Sequence, residues 1–413
     1  MTTKKQNLYD VLKERGFIEQ STDEKALRRL LSQKKISFYN GFDPTADSFH
    51  IGNLVPIMAL AHGQKQGHQP VFVIGGGTGL VGDPSGKDKA RPIMSRQKIN
   101  QNIQALKKQI SSIIDFTNNK ALFINNAKWL TKLNYIEFLR DFGIHFSINR
   151  LLTMESIKRR LKKGLSFLEF NYQLLQAYDF WHLFKKYNCL LQTGGSDQWG
   201  NIIAGVELIR RIENKTVHCL TFPLLQTANG KKMGKTEKGA IWLNPKKISP
   251  YEYYQFWINT DDRDVIKFMK IFTFLPMEKI KDYAKLKDSQ IKKAKEILAF
   301  EATKIIHGEK EAQKAQSASS TLFGKEKESI NSIPTVYLKK SDFKKGIPVS
   351  QIFVMTKLCK SLSEIRRLIN QGGAYLNKKR LENPNLLITI NDFKTGNIIL
   401  RLGKKKYQKV KIK

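Results

Sequence analysis

Three stretches of this chain share one design: an apolar run breaks at glycine, polar side chains crowd in, and a helix-like run follows. They are "YNGFDPTADSFHIGN" from Tyr39, "GGGTGLVGDPSGK" from Gly75 and "QTGGSDQWGN" from Gln192. The runs before them, "KISFYNGF", "QPVFVIGG" and "NCLLQTGG", read as buried strands, and "KALFINN" reads as a further one. The runs between are helical: "LVPIMALAHGQKQGH" after the first, and "NIIAGVELIRRI" after the third, with Ile202, Ile203, Val206 and Ile209 on one face. Strand, helix, strand in this order implies an α/β, Rossmann-like parallel sheet covered by helices. Ligands of such sheets sit at the carboxyl ends of the strands. Glycine there lets a phosphate approach the backbone, and each following helix offers unpaired N–H groups to an anion. Three such exits on one sheet edge favour a nucleotide-sized ligand. The second is neither a dinucleotide fingerprint nor a P-loop: Gly77 to Gly82 has the P-loop length, but Asp83 follows where Lys is required.

Charge points to a second kind of partner. Lys and Arg number 72 against 36 Asp and Glu, a net +36, which suits a polyanion. Lysine spread evenly beside many Ile and Asn could equally reflect genome composition, so placement decides. The last thirteen residues hold seven Lys or Arg and no acid, a concentration that favours RNA. No apolar run approaches the roughly 18 residues of a membrane span. The start "MTTKKQNLYDVLKERGF" has no secretory apolar core, so a cytoplasmic protein is expected. Cys189, Cys219 and Cys359 are odd in number and scattered, which supports neither a disulfide framework nor a zinc site.

The chain of 413 residues has room for several domains. Residues 1–244 carry the strand-helix alternation; 245–323 have helical periodicity and no strand candidate; 324–346 read as a linker; and 347–413 form a compact tail. Within the first part, Tyr172, Gln176 and Asp179 are spaced i, i+4, i+7 and share a helix face, which is either a ligand-facing cluster or a solvated stripe. The loop "TANGKKMGKTEKGA" carries Lys231, Lys232, Lys235 and Thr236 between glycines, a composition able to clamp phosphates or simply to be solvated.

Together these segments resemble the class I aminoacyl-tRNA synthetases, and within them the bacterial-type tyrosyl-tRNA synthetases. His50-Ile51-Gly52-Asn53 is similar to the HIGH signature and Lys232-Met233-Gly234-Lys235-Thr236 to KMSKS; "GFDPTADSFHIG", "GDPSGK", "LQAYDF" and "GGSDQWGN" are similar to stretches of this one enzyme family. The resemblance runs in order from about Leu8 to the C-terminus. It implies that L-tyrosine is activated with ATP and Mg²⁺, then transferred to tRNA(Tyr). By the same resemblance, Thr45, His50 and Asn53, with Lys232, Lys235 and Thr236, bind the departing phosphates, assisted by Lys87 and Arg91. Tyr39 and Asp179 pair with the phenol of tyrosine, and Asp83, Tyr172 and Gln176 hold its ammonium. Gly41, Asp43, Gly52, Gln192, Gly195 and Asp197 surround the adenylate, Asp197 at the ribose, with Gln198 reaching the tyrosine as well.

The resemblance also implies a homodimer formed by an insertion around 126–165, anticodon recognition by 245–323, and a C-terminal RNA-binding module of the small-ribosomal-subunit-protein type. In that module Arg366, Arg367, Lys378, Lys379 and Arg380 meet RNA around the Gly372-Gly373 turn and the strand with Tyr375 and Leu376. Three positions depart from the family pattern. Asn53 replaces the second His, and its amide can donate a hydrogen bond as a neutral imidazole does. Asn40 stands where Cys is common, and Pro56 where a small polar residue is common; both bear on ATP affinity and neither removes a charge. A non-catalytic RNA-binding derivative is the rival class, expected to have lost the signature charges; a tryptophan-specific sibling would lack the Tyr39 and Asp179 pair.

Overall fold

The strand that delivers the HIGN segment lies in the middle of a six-stranded sheet, so its exit falls where ligands of such sheets bind. In chain order the strands are β1 (Gln20–Ser21), β2 (Ser37–Phe42), β3 (Gln69–Ile74), β4 (Leu122–Asn125), β5 (Cys189–Gly195) and β6 (His218–Phe222). Their spatial order is β1-β6-β5-β2-β3-β4. β2 to β6 run parallel, and only β1 is antiparallel, pairing with β6. From β2 the chain moves to β3 and β4 on one side and returns to β5 and β6 on the other, so the order reverses between β2 and β5. In parallel sheets such a reversal parts the crossover helices at the carboxyl edge, the usual ligand position. In the computed structural model, residues 6–85, 94–230, 233–236, 239–323, 333–343, 346–377, 379–393, 396–403 and 406–413 are described.

β3 and β6 are buried almost throughout, as strands covered by helices on both faces must be. The Ile51–Lys65 helix joins β2 to β3 and is buried along most of its length. It lies so close to β2 that a Cβ on Gly63 would stand 2.2 Å from Cζ of the buried Phe38. The long Phe167–Tyr187 helix precedes β5 and packs against the Trp199–Glu213 helix, where a Cβ on Gly205 would stand 3.1 Å from Phe180 Cβ.

The described chain gathers into two compact units, Met1–Ile248 with Thr260–Leu298, and Ser249–Asn259 with Ala299–Lys413. The tract read from sequence as one helical domain, 245–323, is therefore divided between them. In the first unit, Arg15 donates to the carbonyls of Lys270, Thr273 and Leu275, tying the N-terminal helix to the end of the Val265–Phe272 helix. In the second, the Pro250–Ile258 and Glu309–Phe323 helices pair, with Gln255 Nε2 donating to Ser319 Oγ at 2.9 Å.

The second unit also holds a five-stranded sheet, ordered Lys379–Arg380, Ala374–Leu376, Ile398–Leu402, Lys406–Ile412 and Thr335–Leu338. Its core is Ile352, Phe353, Ile365, Ile369, Ile398, Leu400 and Val410. Thr335–Leu338 falls within the segment read as linker, yet it pairs in parallel with Lys406–Ile412. Pro334, Lys339 and Lys340 around it give a linker-like composition, while Val336 and Leu338 alternate inward as edge-strand residues do. Residues 324–332 and 344–345 of that segment lie outside the described residues.

Gly63→Ala tests the closeness of helix and strand. Alanine gains about 1 kcal/mol of helical propensity, but overpacking against Phe38 costs about 1–3 kcal/mol. The variant is expected to melt a few degrees lower, and an unchanged or raised melting temperature would show that the contact yields freely.

Candidate active site

Five segments converge on the carboxyl edge of the sheet, and a chain of hydrogen bonds links three of its strand exits to the long helix. Asp43, just past β2, accepts from Thr78 Oγ1 at 2.8 Å and from the hydroxyl of Tyr172 at 2.9 Å. Thr78, past β3, accepts in turn from Asn126 Nδ2 at 3.1 Å. Asn126, past β4, also donates to Asp179 Oδ2 at 2.8 Å, and Trp129 Nε1 donates to Asp179 Oδ1 at 2.7 Å. Gly75 makes room for the first link: a Cβ there would fall 2.1 Å from Asp43 Oδ1 and 2.4 Å from Thr78 Oγ1. Tyr39 on β2 is buried beside this chain against Phe180, and its hydroxyl has no hydrogen-bond partner among the described residues.

A second network stands next to the first. Asp83 accepts from Gln198 Nε2 at 2.8 Å and from the Ser85 amide at 2.9 Å. Asn201 Nδ2 donates to Gln176 Oε1 and Ser85 Oγ, both at 3.1 Å, and to Gln198 Oε1 at 3.3 Å. Gln192 is register partner to Tyr39 across β2 and β5 and is buried, and its side-chain oxygen has no hydrogen-bond partner among the described residues. Asn40 is committed to the sheet: its Oδ1 accepts from Thr193 Oγ1 at 3.1 Å, and its Nδ2 donates to the Gly41 carbonyl at 3.0 Å. Gly41 faces open space, where a Cβ would meet nothing within 4 Å. At Gly195 a Cβ would stand 2.6 Å from Asp197 Oδ1, so that carboxylate folds back over the strand end.

The two signature-like segments are held together by backbone. His50 caps the Ile51–Lys65 helix; its Nδ1 accepts from the Gly52 amide at 3.0 Å, which places the proton of the neutral ring on Nε2. Asn53 Oδ1 accepts from the His50 amide at 3.1 Å, completing a capping box. Asn53 thus spends its oxygen on the helix start, an acceptor role that the analogy with a donating imidazole did not anticipate. Pro56 has no N–H, so the Gly52 carbonyl lacks its helical donor.

From the other side, Ile51 N donates to the Ile241 carbonyl, Ile241 N to the Gly234 carbonyl, and Leu243 N to the Phe49 carbonyl, each at 2.9 Å. Gly234 has φ +80°, and a Cβ there would lie 2.4 Å from Ile51 Cγ2, so only glycine fits. Lys235–Thr236 forms a short antiparallel pair with Gly239–Ala240. Lys232, Lys87 and Arg91 lie outside the described residues. Thr45 is exposed in the β2 exit loop, its amide donating to the Asp43 carbonyl at 2.8 Å.

With this geometry in view, residues 31–324 match the family described as tRNA synthetases class I (W and Y), and residues 326–410 match the tyrosine–tRNA ligase SYY-like C-terminal domain. The chain belongs to this synthetase family. It is 51 % identical to the tyrosine–tRNA ligase of Clostridium botulinum (strain Hall), over 98 % of this chain and 99 % of that one. It is 52 % identical to the tyrosine–tRNA ligase of Acetivibrio thermocellus with the same coverage. Among solved structures, a C-terminally truncated mitochondrial tyrosyl-tRNA synthetase of Aspergillus nidulans superposes with a TM-score of 0.70 at 32 % identity, covering 77 % of this chain and 95 % of that one.

Five residues of the networks were not singled out in the sequence. Thr78, Ser85 and Asn201 lie inside quoted loops. Asn126 and Trp129 follow β4, a fourth strand exit on the same edge, whose "FINNAKWL" lacks the glycines that marked the others. In the second unit, Arg366 and Arg367 are exposed on the Leu362–Asn370 helix, opposite the buried Ile365 and Ile369. Tyr375 is register partner to both Arg380 and Arg401, and the Arg401 guanidinium sits 3.5 Å from the Tyr375 ring centroid. Lys379 and Arg380 are exposed, and Lys378 lies outside the described residues.

Asp179 is fully buried, and its pKa rises from an ordinary 3.8 to about 7. Burial drives the shift, the Asn126 and Trp129 donors oppose it, and the Asp43 charge adds to it. The folded chain therefore keeps a proton that the unfolded chain releases. The stability from this group is fully present below about pH 4 and is lost as pH rises through about 7. Thermal unfolding of Asp179→Asn, compared with the parent chain between those limits, is expected to lack this decline; parallel pH profiles would contradict the shift.

Proposed function

We propose that this chain activates L-tyrosine with ATP and esterifies tRNA(Tyr) with it, the catalytic region spanning 1–244. The observation that carries the substrate assignment is the Tyr39 hydroxyl, buried with no partner among the described residues beside a buried Asp179. A phenol entering there accepts from Tyr39 and donates to Asp179. Phenylalanine would leave the Tyr39 hydroxyl unpaired and bring no donor to Asp179, a discrimination already known for tyrosine-specific synthetases. Asp83, Tyr172 and Gln176 take the ammonium, within the networks that fix their orientation.

In the first step a tyrosine carboxylate oxygen bonds to the α-phosphorus of ATP while the bond to the bridging oxygen breaks, releasing pyrophosphate. The nucleophile is already ionised, so no general base is needed, and rate comes from alignment and charge stabilisation. His50 Nε2–H donates to the departing phosphates, the N-terminus of the Ile51–Lys65 helix adds its dipole, and Lys232, Lys235 and Thr236 approach from the adjoining loop with Thr45. Lys87 and Arg91 contribute further positive charge. Gly41 and Gly52 leave room for the nucleotide, with Gln192, Gly195 and Asp197 around its nucleoside. Mg²⁺ enters as the ATP complex. In the second step a ribose hydroxyl of the terminal adenosine attacks the tyrosyl carbonyl and AMP leaves.

The proposal includes a cytoplasmic homodimer. Ile136, Ile144, Ile148 and Phe167, in and beside the insertion, are 70, 72, 63 and 69 % exposed, an apolar set that a second copy would cover. Residues 245–323 serve anticodon recognition, and Arg366, Arg367, Lys378, Lys379 and Arg380 meet tRNA phosphates.

Tyrosine-dependent exchange of pyrophosphate into ATP is the direct test, and its absence with purified protein would sink the enzymatic reading. Arg366→Glu with Arg367→Glu should raise KM for tRNA about tenfold or more while leaving that exchange unchanged. Equal loss in both reactions would contradict the RNA role of the tail.

A further inference from the structure

The two donors on Asp179 are secured in different ways. Asn126 is pinned by its own bonds: its Oδ1 accepts from the Gly77 amide at 2.8 Å, and its Nδ2 reaches Thr78. Trp129 points its one N–H at Asp179, and its ring orientation comes from packing. Among the described residues, the aromatic ring stacked on its indole is the imidazole of His182. The two rings stack with centroids 4.3 Å apart and planes 17° off parallel. His182 stands three residues beyond Asp179 on the same helix, so one helical turn carries both the carboxylate and the ring that aims its donor. Burial and Lys186 lower the His182 pKa, which favours a neutral ring and a stack held by dispersion rather than charge.

We propose that His182 is a positioning residue for amino-acid selection: its ring, stacked on the Trp129 indole, holds the N–H that orients the Asp179 carboxylate toward the substrate phenol. The proposal rests on the reading that Asp179 receives that phenol. A side chain of similar bulk but no flat ring would leave the indole free to turn. The carboxylate would then lose one of its two donors and the fixed direction of its remaining lone pairs. ATP binding would not change, because His182 and Trp129 stand on the tyrosine side of the networks.

The test measures pyrophosphate exchange with the full chain for His182→Ala, His182→Leu and His182→Phe, using tyrosine and phenylalanine as substrates. His182→Ala and His182→Leu should raise KM for tyrosine about two- to tenfold and lower the tyrosine-to-phenylalanine ratio by a similar factor. kcat and KM for ATP should stay put, and His182→Phe should restore the parent values. Unchanged tyrosine parameters in His182→Ala, full activity in His182→Leu, or a matching rise in KM for ATP would overturn the proposal. Asp179→Asn, measured alongside, separates the two ideas. A flat ratio there overturns the phenol reading itself, whereas a collapsed ratio there with insensitive His182 variants overturns only the role of His182.

Discussion

A buried carboxylate is costly to charge, and the site is built around managing that cost at Asp179. Two N–H donors from beyond β4 meet its oxygens, and the same Asn126 reaches back through Thr78 to Asp43 and Tyr172. Because the bonds run through three strand exits and one helix, no member can move without leaving a buried polar group unpaired, which costs about 1–3 kcal/mol. Rigidity of this kind lets a site choose between side chains that differ by one hydroxyl. The raised pKa of Asp179 is the mark of the same burial.

The HIGN side is organised differently, by backbone. The amides and carbonyls of Phe49, Ile51, Gly234, Ile241 and Leu243 bond across from the HIGN segment to the loop that follows it far later in the chain. Glycines at 52 and 234 permit the approach, and His50 and Asn53 close the helix start between them. The start of the Ile51–Lys65 helix is thereby tied through Ile241 to Gly234. Asn53 suits this place, because the capping box asks for an acceptor and an amide oxygen supplies one.

Where sequence reading misjudged, the cause was tertiary. The segment 245–323 is uniformly helical, and nothing in its periodicity tells which neighbour each helix buries against; the described chain splits it between two units. Thr335–Leu338 looked like linker because its flanks are Pro and Lys, and only pairing with Lys406–Ile412 makes it a strand. The side-chain bonds of Asn40, to Thr193 across β2 and β5 and to the Gly41 carbonyl, were likewise set by strand order and invisible to local pattern.

By itself the sequence determined the parallel sheet, the three glycine-marked exits and the family, because strand periodicity, glycine at sharp exits and ordered motifs are local properties of a chain. It also brought Tyr172, Gln176 and Asp179 to one helix face, since a 3.6-residue repeat is arithmetic. The tertiary structure alone decided that β4 contributes Asn126 and Trp129, that His182 stacks on that indole, and that Gly234 abuts Ile51. Such contacts join residues about 50 to 180 positions apart, and they depend on strand order and close packing, which no local pattern encodes.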